Sequence, residues 1–229
     1  MYAIIDKRAP LAVKKNLQNY TDEIFEFSSD EITYNSISGH PDIFIFQDAN
    51  KLIIAPNAPK ELINFLDNKG IFYSLGTKPV GITLAESVLY NCISNNDYFF
   101  CKKGTPDISI QNWCLPKQLV NIPQSYARCS MFTIDNKIIT SDKGIVKVLE
   151  KYSLEYFYFD PSEITIKDHK NGFIGGTMGA IDNNVFFLGN ILKHKDGKKL
   201  DEYLTALGKK IICLNNDYLY DGGGIFLVS

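Results

Sequence analysis

The chain has 229 residues, 45% hydrophobic and 13% aromatic, and its 24 basic against 26 acidic residues leave a formal charge of -2. That content is ample for a buried core, and without a long run of one sign it argues against a nucleic-acid groove or a membrane surface as partner. Charge begins at Asp6, leaving no room for a signal peptide, and no apolar run reaches the roughly 18–20 residues that cross a bilayer.

In chain order, residues 2–6 read as a short strand stopped by Lys7-Arg8-Ala9-Pro10. Leu11, Val13, Leu17 and Tyr20 fall at helical spacing, and 23–27 alternates as a strand. Residues 42–46 and 52–56 read as a hairpin about the turn 47–51. A helix over 58–70 follows, with Pro59 near its start and Gly70 just past its end, and then a strand over 71–75. The pattern recurs. Residues 87–93 and 98–101 read as a hairpin about 94–97, and the segment up to a strand at 118–121 carries no predicted helix. Residues 129–134 and 138–140 form the clearest copy, with a helix over 143–152 and a strand over 156–159. Residues 177–181 and 185–188 form another, with a helix over 198–207, Gly208 as its stop and a strand over 210–214.

The turns begin near Asp48, Asn95, Asp135 and Asp182, spaced by 47, 40 and 47, which marks an internal repeat. A further step of 47 lands on residue 229, so the strand at 224–228 is expected to pair with 2–6 as a fifth hairpin. Five hairpin-helix-strand units set in a ring predict one α/β domain over 1–229 with no exposed edge at the seam.

Five such units resemble the pentein fold, the five-bladed α/β propeller of guanidino-group-modifying enzymes such as arginine and agmatine deiminases and amidinotransferases. Gly39-His40-Pro41-Asp42 looks like the Gly-His-x-Asp element of agmatine deiminases, and Gly222-Gly223-Gly224-Ile225 looks like the start of their Gly-Gly-Gly-Ile-His-Cys ending. Tyr126-Ala127-Arg128-Cys129-Ser130, Gly172-Phe173-Ile174-Gly175-Gly176 and Asp221-Gly222 are similar to an uncharacterised, small branch of that fold. The chain departs from the deiminases at the end: Leu227 stands at the position of their nucleophilic cysteine and Phe226 at that of the histidine before it.

Turn alignment places candidate chemistry elsewhere. Asp42 lies six residues before Asp48 and Cys129 six before Asp135, so both are expected at the central axis, with Gly176 and Gly223 at the matching corners leaving space and backbone N–H groups for a ligand. Cys129 as thiolate nucleophile, His40 as proton carrier and Asp42 as carboxylate make a catalytic set, with Arg128 or His40 activating the thiol. Asp221 and Arg128 are further ligand-binding candidates. The same residues also admit structural roles: His40 bracing a turn, Asp42 accepting local N–H groups, Cys129 filling core. The other cysteines, Cys92, Cys101, Cys114 and Cys213, read as core thiols without C-x-x-C spacing, in a reducing, cytoplasmic setting. His169 and His194 read as surface residues of polar loops, Trp113 as a plug over the unit lacking a helix, and no metal-ligand spacing or cofactor motif is present.

Two functions follow. One is a small-molecule hydrolase or amidino-transferring enzyme that takes a cationic, guanidino-like ligand. The other is a non-catalytic pentein that binds a metabolite or protein partner. The sequence does not specify the oligomeric state.

Overall fold

The computed structural model describes residues 1–49 and 51–229; Asn50, in the predicted turn 47–51, lies outside them. Among these residues are five separate three-stranded sheets, and each central strand has one antiparallel neighbour and one parallel neighbour, the parallel one being the next strand in the chain. The central strands are Tyr2–Asp6, Lys51–Ile54, Tyr98–Cys101, Lys137–Thr140 and Asn184–Phe187. A helix leads from each central strand to its parallel neighbour: Leu11–Leu17, Lys60–Asn68, Ile108–Trp113, Lys143–Lys151 and Gly197–Ala206. In the first sheet the antiparallel partner comes from the other end of the chain, Phe226–Val228, with Tyr2 opposite Val228 and Ile4 opposite Phe226.

Adjacent residues of a strand point to opposite faces, so the complete burial of Ile4 and Ile5, of Ile138 and Ile139, and of Phe186 and Phe187 means both faces of these sheets are covered. The helices supply one cover through apolar residues three or four apart: Leu62, Phe65 and Leu66; Ile145 and Leu149; Leu200 and Leu204. Asp142 caps the fourth helix by accepting the Ile145 N–H at 2.8 Å. Gly70 and Gly208, at φ 66° and 73°, follow two helices at the position where a left-handed residue ends the turn.

Several predicted elements differ. The strand expected over 42–46 begins only at Ile45, because Pro41–Ile43 forms a 3-10 turn. The strand expected from 129 begins at Met131 after the helical turn Ala127–Ser130, and Gly175–Thr177 forms a 3-10 turn before Met178–Ile181. Each hairpin here is entered through a tight turn, where pleated alternation does not apply. Residues 87–93 are mostly not strand: Leu84–Ser87 is a helical turn closed by a Thr83–Glu86 capping box, and only Ile93–Ser94 pairs. The third unit does carry a helix. Ile108–Trp113 is too short to show apolar periodicity, and its start depends on Asp107, which accepts from Ser109 N (2.9 Å), Lys78 N (2.9 Å) and Thr77 Oγ1 (2.8 Å). Trp113 is accordingly no plug: it lies on that helix, 45% exposed, and donates Nε1–H to Asp48 Oδ2 at 2.7 Å.

His194, expected at the surface, is buried. Its ring stacks on Phe159 with centroids 4.1 Å apart, Nε2 bonds the Ser162 carbonyl at 2.8 Å and Nδ1 accepts the Asp196 N–H at 3.0 Å. One nitrogen is satisfied within the loop and the other by Ser162, 32 residues earlier, so the polar loop pattern did not betray the burial.

Asp107, itself buried, joins residues 77–78 to the third helix, so Asp107→Ala removes that helix's cap together with the bonds from Thr77 and Lys78. Urea denaturation at pH 7 is expected to show a loss of about 2–4 kcal/mol.

Candidate active site

The turns that precede the second and fourth hairpins build the site. His40 is extended (φ -81°, ψ 110°), Pro41 starts the 3-10 turn, and Asp42 projects from that turn beyond the end of its sheet. Cys129 occupies the equivalent place in Ala127–Ser130. Their side chains meet across the molecule: the Cys129 thiol donates to Asp42 Oδ2 at 2.8 Å. His40, Asp42 and Cys129 each offer a nitrogen, oxygen or sulfur atom within 4.8 Å of the others, and all three are buried.

Asn91, unremarked in the sequence, orients the thiol. Its Oδ1 accepts the N–H groups of Arg128 (2.8 Å) and Cys129 (3.3 Å), which turns Nδ2–H toward Cys129 Sγ at 3.4 Å. A buried asparagine inside an apolar run was the available signal, and the strand expectation over 87–93 hid it.

Burial dominates the electrostatics. It pushes the Asp42 carboxyl up to about 6, against the pull of the Cys129 hydrogen bond and the Arg128 charge. Asp221 is likewise pushed up to about 6 by burial, which outweighs the pull of His40 and of the Phe173 N–H. Burial, reinforced by the negative charges of Asp42 and Asp221, raises the Cys129 thiol well above its ordinary value. Burial also lowers His40, so the imidazole is neutral at neutral pH; among the described residues neither of its ring nitrogens has a hydrogen-bond partner.

A cavity of about 460 Å³ opens onto this cluster. His40, Cys129 and Asp221 lie in its lining, and Tyr34 and Tyr126, whose hydroxyls are 2.7 Å apart, form an aromatic wall. His169 and Lys170 lie at the other side, where His169 is exposed as expected but reaches Ser36 Oγ at 3.0 Å. Asp42 is not in the lining.

The remaining predicted ligand residues face protein. Arg128 donates Nη1–H to the Gly175 carbonyl (2.5 Å) and Nη2–H to the Met178 carbonyl (2.9 Å), with its guanidinium 4.6 Å from the Phe132 ring centroid. The space beside Gly176 is filled by Asp221: a Cβ there would lie 1.8 Å from Oδ1. Gly223 (φ 70°) sits against His40, whose Cβ would be 2.6 Å from an added Cβ, and its N–H goes to Asp221 Oδ1 at 3.2 Å. These glycines therefore make room for site side chains rather than for a ligand, because the acidic groups occupy the corners themselves. Asp221, wholly buried, also accepts the Phe173 N–H at 2.8 Å. Leu227 is buried in the first sheet opposite Ala3.

The profile of a family described as "Family of unknown function (DUF6873)" matches residues 4–226. No curated protein matches the chain. Among solved structures, the agmatine deiminase of C. jejuni superposes with a TM-score of 0.56 at 12% identity, over 94% of this chain and 86% of that one. The amidinotransferase SxtG of Microseira wollei gives 0.54 at 11%, over 93% and 88%. The DDAH of Pseudomonas aeruginosa, a mutant complexed with citrulline, gives 0.52 at 9%, over 94% and 91%. These are members of the pentein superfamily, and the chain shares their mixed α/β fold of small three-stranded sheets.

Burial and, after it, the Asp42 charge hold the Cys129 proton on, so Asp42→Asn is expected to lower the thiol pKa. Iodoacetamide labelling of Cys129, followed by mass spectrometry against pH, should run slower than for a free thiol in the unmodified chain and faster, at pH 8, in the variant.

Proposed function

The chain belongs to the DUF6873 family of unknown function, and we propose that it is a small-molecule hydrolase or amidino-transferring enzyme acting on a cationic, guanidino-like group. One observation carries the reading: Cys129 Sγ lies 2.8 Å from Asp42 Oδ2, beside the unpartnered His40 ring, where Cys129 and His40 line a cavity of about 460 Å³. In this reading the five units form one domain over 1–229, a five-bladed α/β propeller closed where the strands Tyr2–Asp6 and Phe226–Val228 pair, and the protein works in the cytoplasm.

Asp221, the cavity carboxylate, meets the cation, and the bound positive charge offsets the carboxylates that keep Cys129 protonated. The thiol adds to the guanidinium carbon as its proton passes to neutral His40. His40 returns that proton to the departing amine as the C–N bond breaks, leaving an S-amidino adduct on Cys129. Water then hydrolyses the adduct, or an acceptor amine takes the amidino group. Asn91 and Asp42 hold the sulfur in line.

A second reading, a non-catalytic pentein that binds a metabolite or partner, is favoured by Leu227, which stands where the resemblance places the deiminase thiol. Incubation with agmatine, arginine and related guanidino compounds separates the two. Turnover predicts a thermal shift, a mass increase on Cys129 in acid-quenched samples and release of amine or ammonia, with Cys129→Ser keeping the shift and losing the release. A shift without adduct or release selects the binding reading, and no shift with any guanidino compound overturns the ligand class.

The ligand-induced shift should also grow between pH 5 and 7. Asp42 and Asp221 lose protons near pH 6, and only their charged forms attract a cation.

A further inference from the structure

We propose that His40, Asp42 and Cys129 bind one zinc ion, with the fourth coordination position open toward the cavity. The inference rests on the arrangement of donor atoms and not on the guanidino reading. The three donor atoms lie within 4.8 Å of one another and are buried. Tetrahedral zinc spaces sulfur, nitrogen and oxygen ligands roughly 3.3–3.8 Å apart, so side-chain rotations of about 1 Å bring the three into its coordination sphere.

Two of the ligands offer donor atoms that have no partner among the described residues. His40, 1% exposed, has no partner on either ring nitrogen, and Asp42, 0% exposed, has none on Oδ1. Buried polar atoms without partners are uncommon, and here they converge on a thiol. The contact displaced among the described residues is the hydrogen bond from Cys129 to Asp42 Oδ2, whose proton leaves as the Zn–S bond forms. A sulfur, nitrogen and oxygen donor set suits zinc better than magnesium or calcium, which prefer oxygen alone. Three protein ligands with an open fourth position is the ligand count of reactive rather than purely structural zinc sites.

The surroundings complete the case. The thiolate and the Asp42 carboxylate neutralise the divalent ion, and the nearby Arg128 and Asp221 charges cancel each other. Asn91 Nδ2, 3.4 Å from Sγ, supplies the outer hydrogen bond that orients a sulfur ligand. Zinc and thiol addition exclude each other, because the sulfur lone pair that would attack a carbon is committed to the metal.

Cobalt(II) titration of the dialysed full chain tests the site. The expected result is one equivalent bound, with a thiolate-to-cobalt charge-transfer band in the near ultraviolet that zinc bleaches by displacement. Cys129→Ser should abolish the band, His40→Ala should weaken cobalt binding at least about tenfold, and Cys213→Ala should leave both unchanged. Circular dichroism establishes that each variant is folded. A folded wild-type chain without the band at one equivalent overturns the proposal. So does a band that survives in Cys129→Ser, which would assign the metal to Cys92, Cys101 or Cys114. The outcome is independent of guanidino turnover: a metal-binding chain that ignores guanidino compounds keeps this site and loses only the preceding function, and the converse result does the reverse.

Discussion

The contact between the Cys129 thiol and the Asp42 carboxylate joins two turns 87 residues apart, and much of the surrounding structure serves to accommodate it. Two tight turns must bring their side chains off the ends of separate sheets into one buried volume. That volume also holds His40, Asp221 and the Arg128 guanidinium, all at most 7% exposed. So many polar groups leave no space for further side chains, which is why the neighbouring corners are glycine. A Cβ at Gly223 would press on His40 and Asp42, at Gly176 on Asp221, and at Gly224 on the Arg128 guanidinium at 2.6 Å.

Burying these groups has an electrostatic cost, and the structure distributes it unevenly. Arg128 keeps its charge because backbone carbonyls and an aromatic face surround it. The carboxyls of Asp42 and Asp221 instead drift up toward neutrality, and the thiol of Cys129 stays protonated. His40 is neutral and left without partners.

The architecture was largely legible in the chain. Turn chemistry at Asp48, Asn95, Asp135 and Asp182 exposed the repeat, and helices with a repeated apolar face, such as Lys143–Lys151, were readable because each buries its own stripe. The helix Ile108–Trp113 was not readable, since its start is secured by Asp107 binding to residues 77–78, a contact between distant segments. For the same reason His194 looked like surface: its Phe159 and Ser162 partners come from another part of the chain.

For the site, counting back from the turns was enough to pair Asp42 with Cys129, because equivalent positions in a repeated unit take equivalent places. The sequence by itself therefore determined the unit, its number and that Asp42 and Cys129 share a corner. Only the tertiary structure decided their neighbours. It turned Arg128 toward backbone carbonyls, filled the space beside Gly176 with Asp221, and set Asn91 against the sulfur. It also assembled a donor cluster in which no local spacing announces a metal. Those outcomes depend on angles and distances between units, and a one-dimensional pattern, which encodes the period of each element, carries no record of how one unit's side chains meet the next.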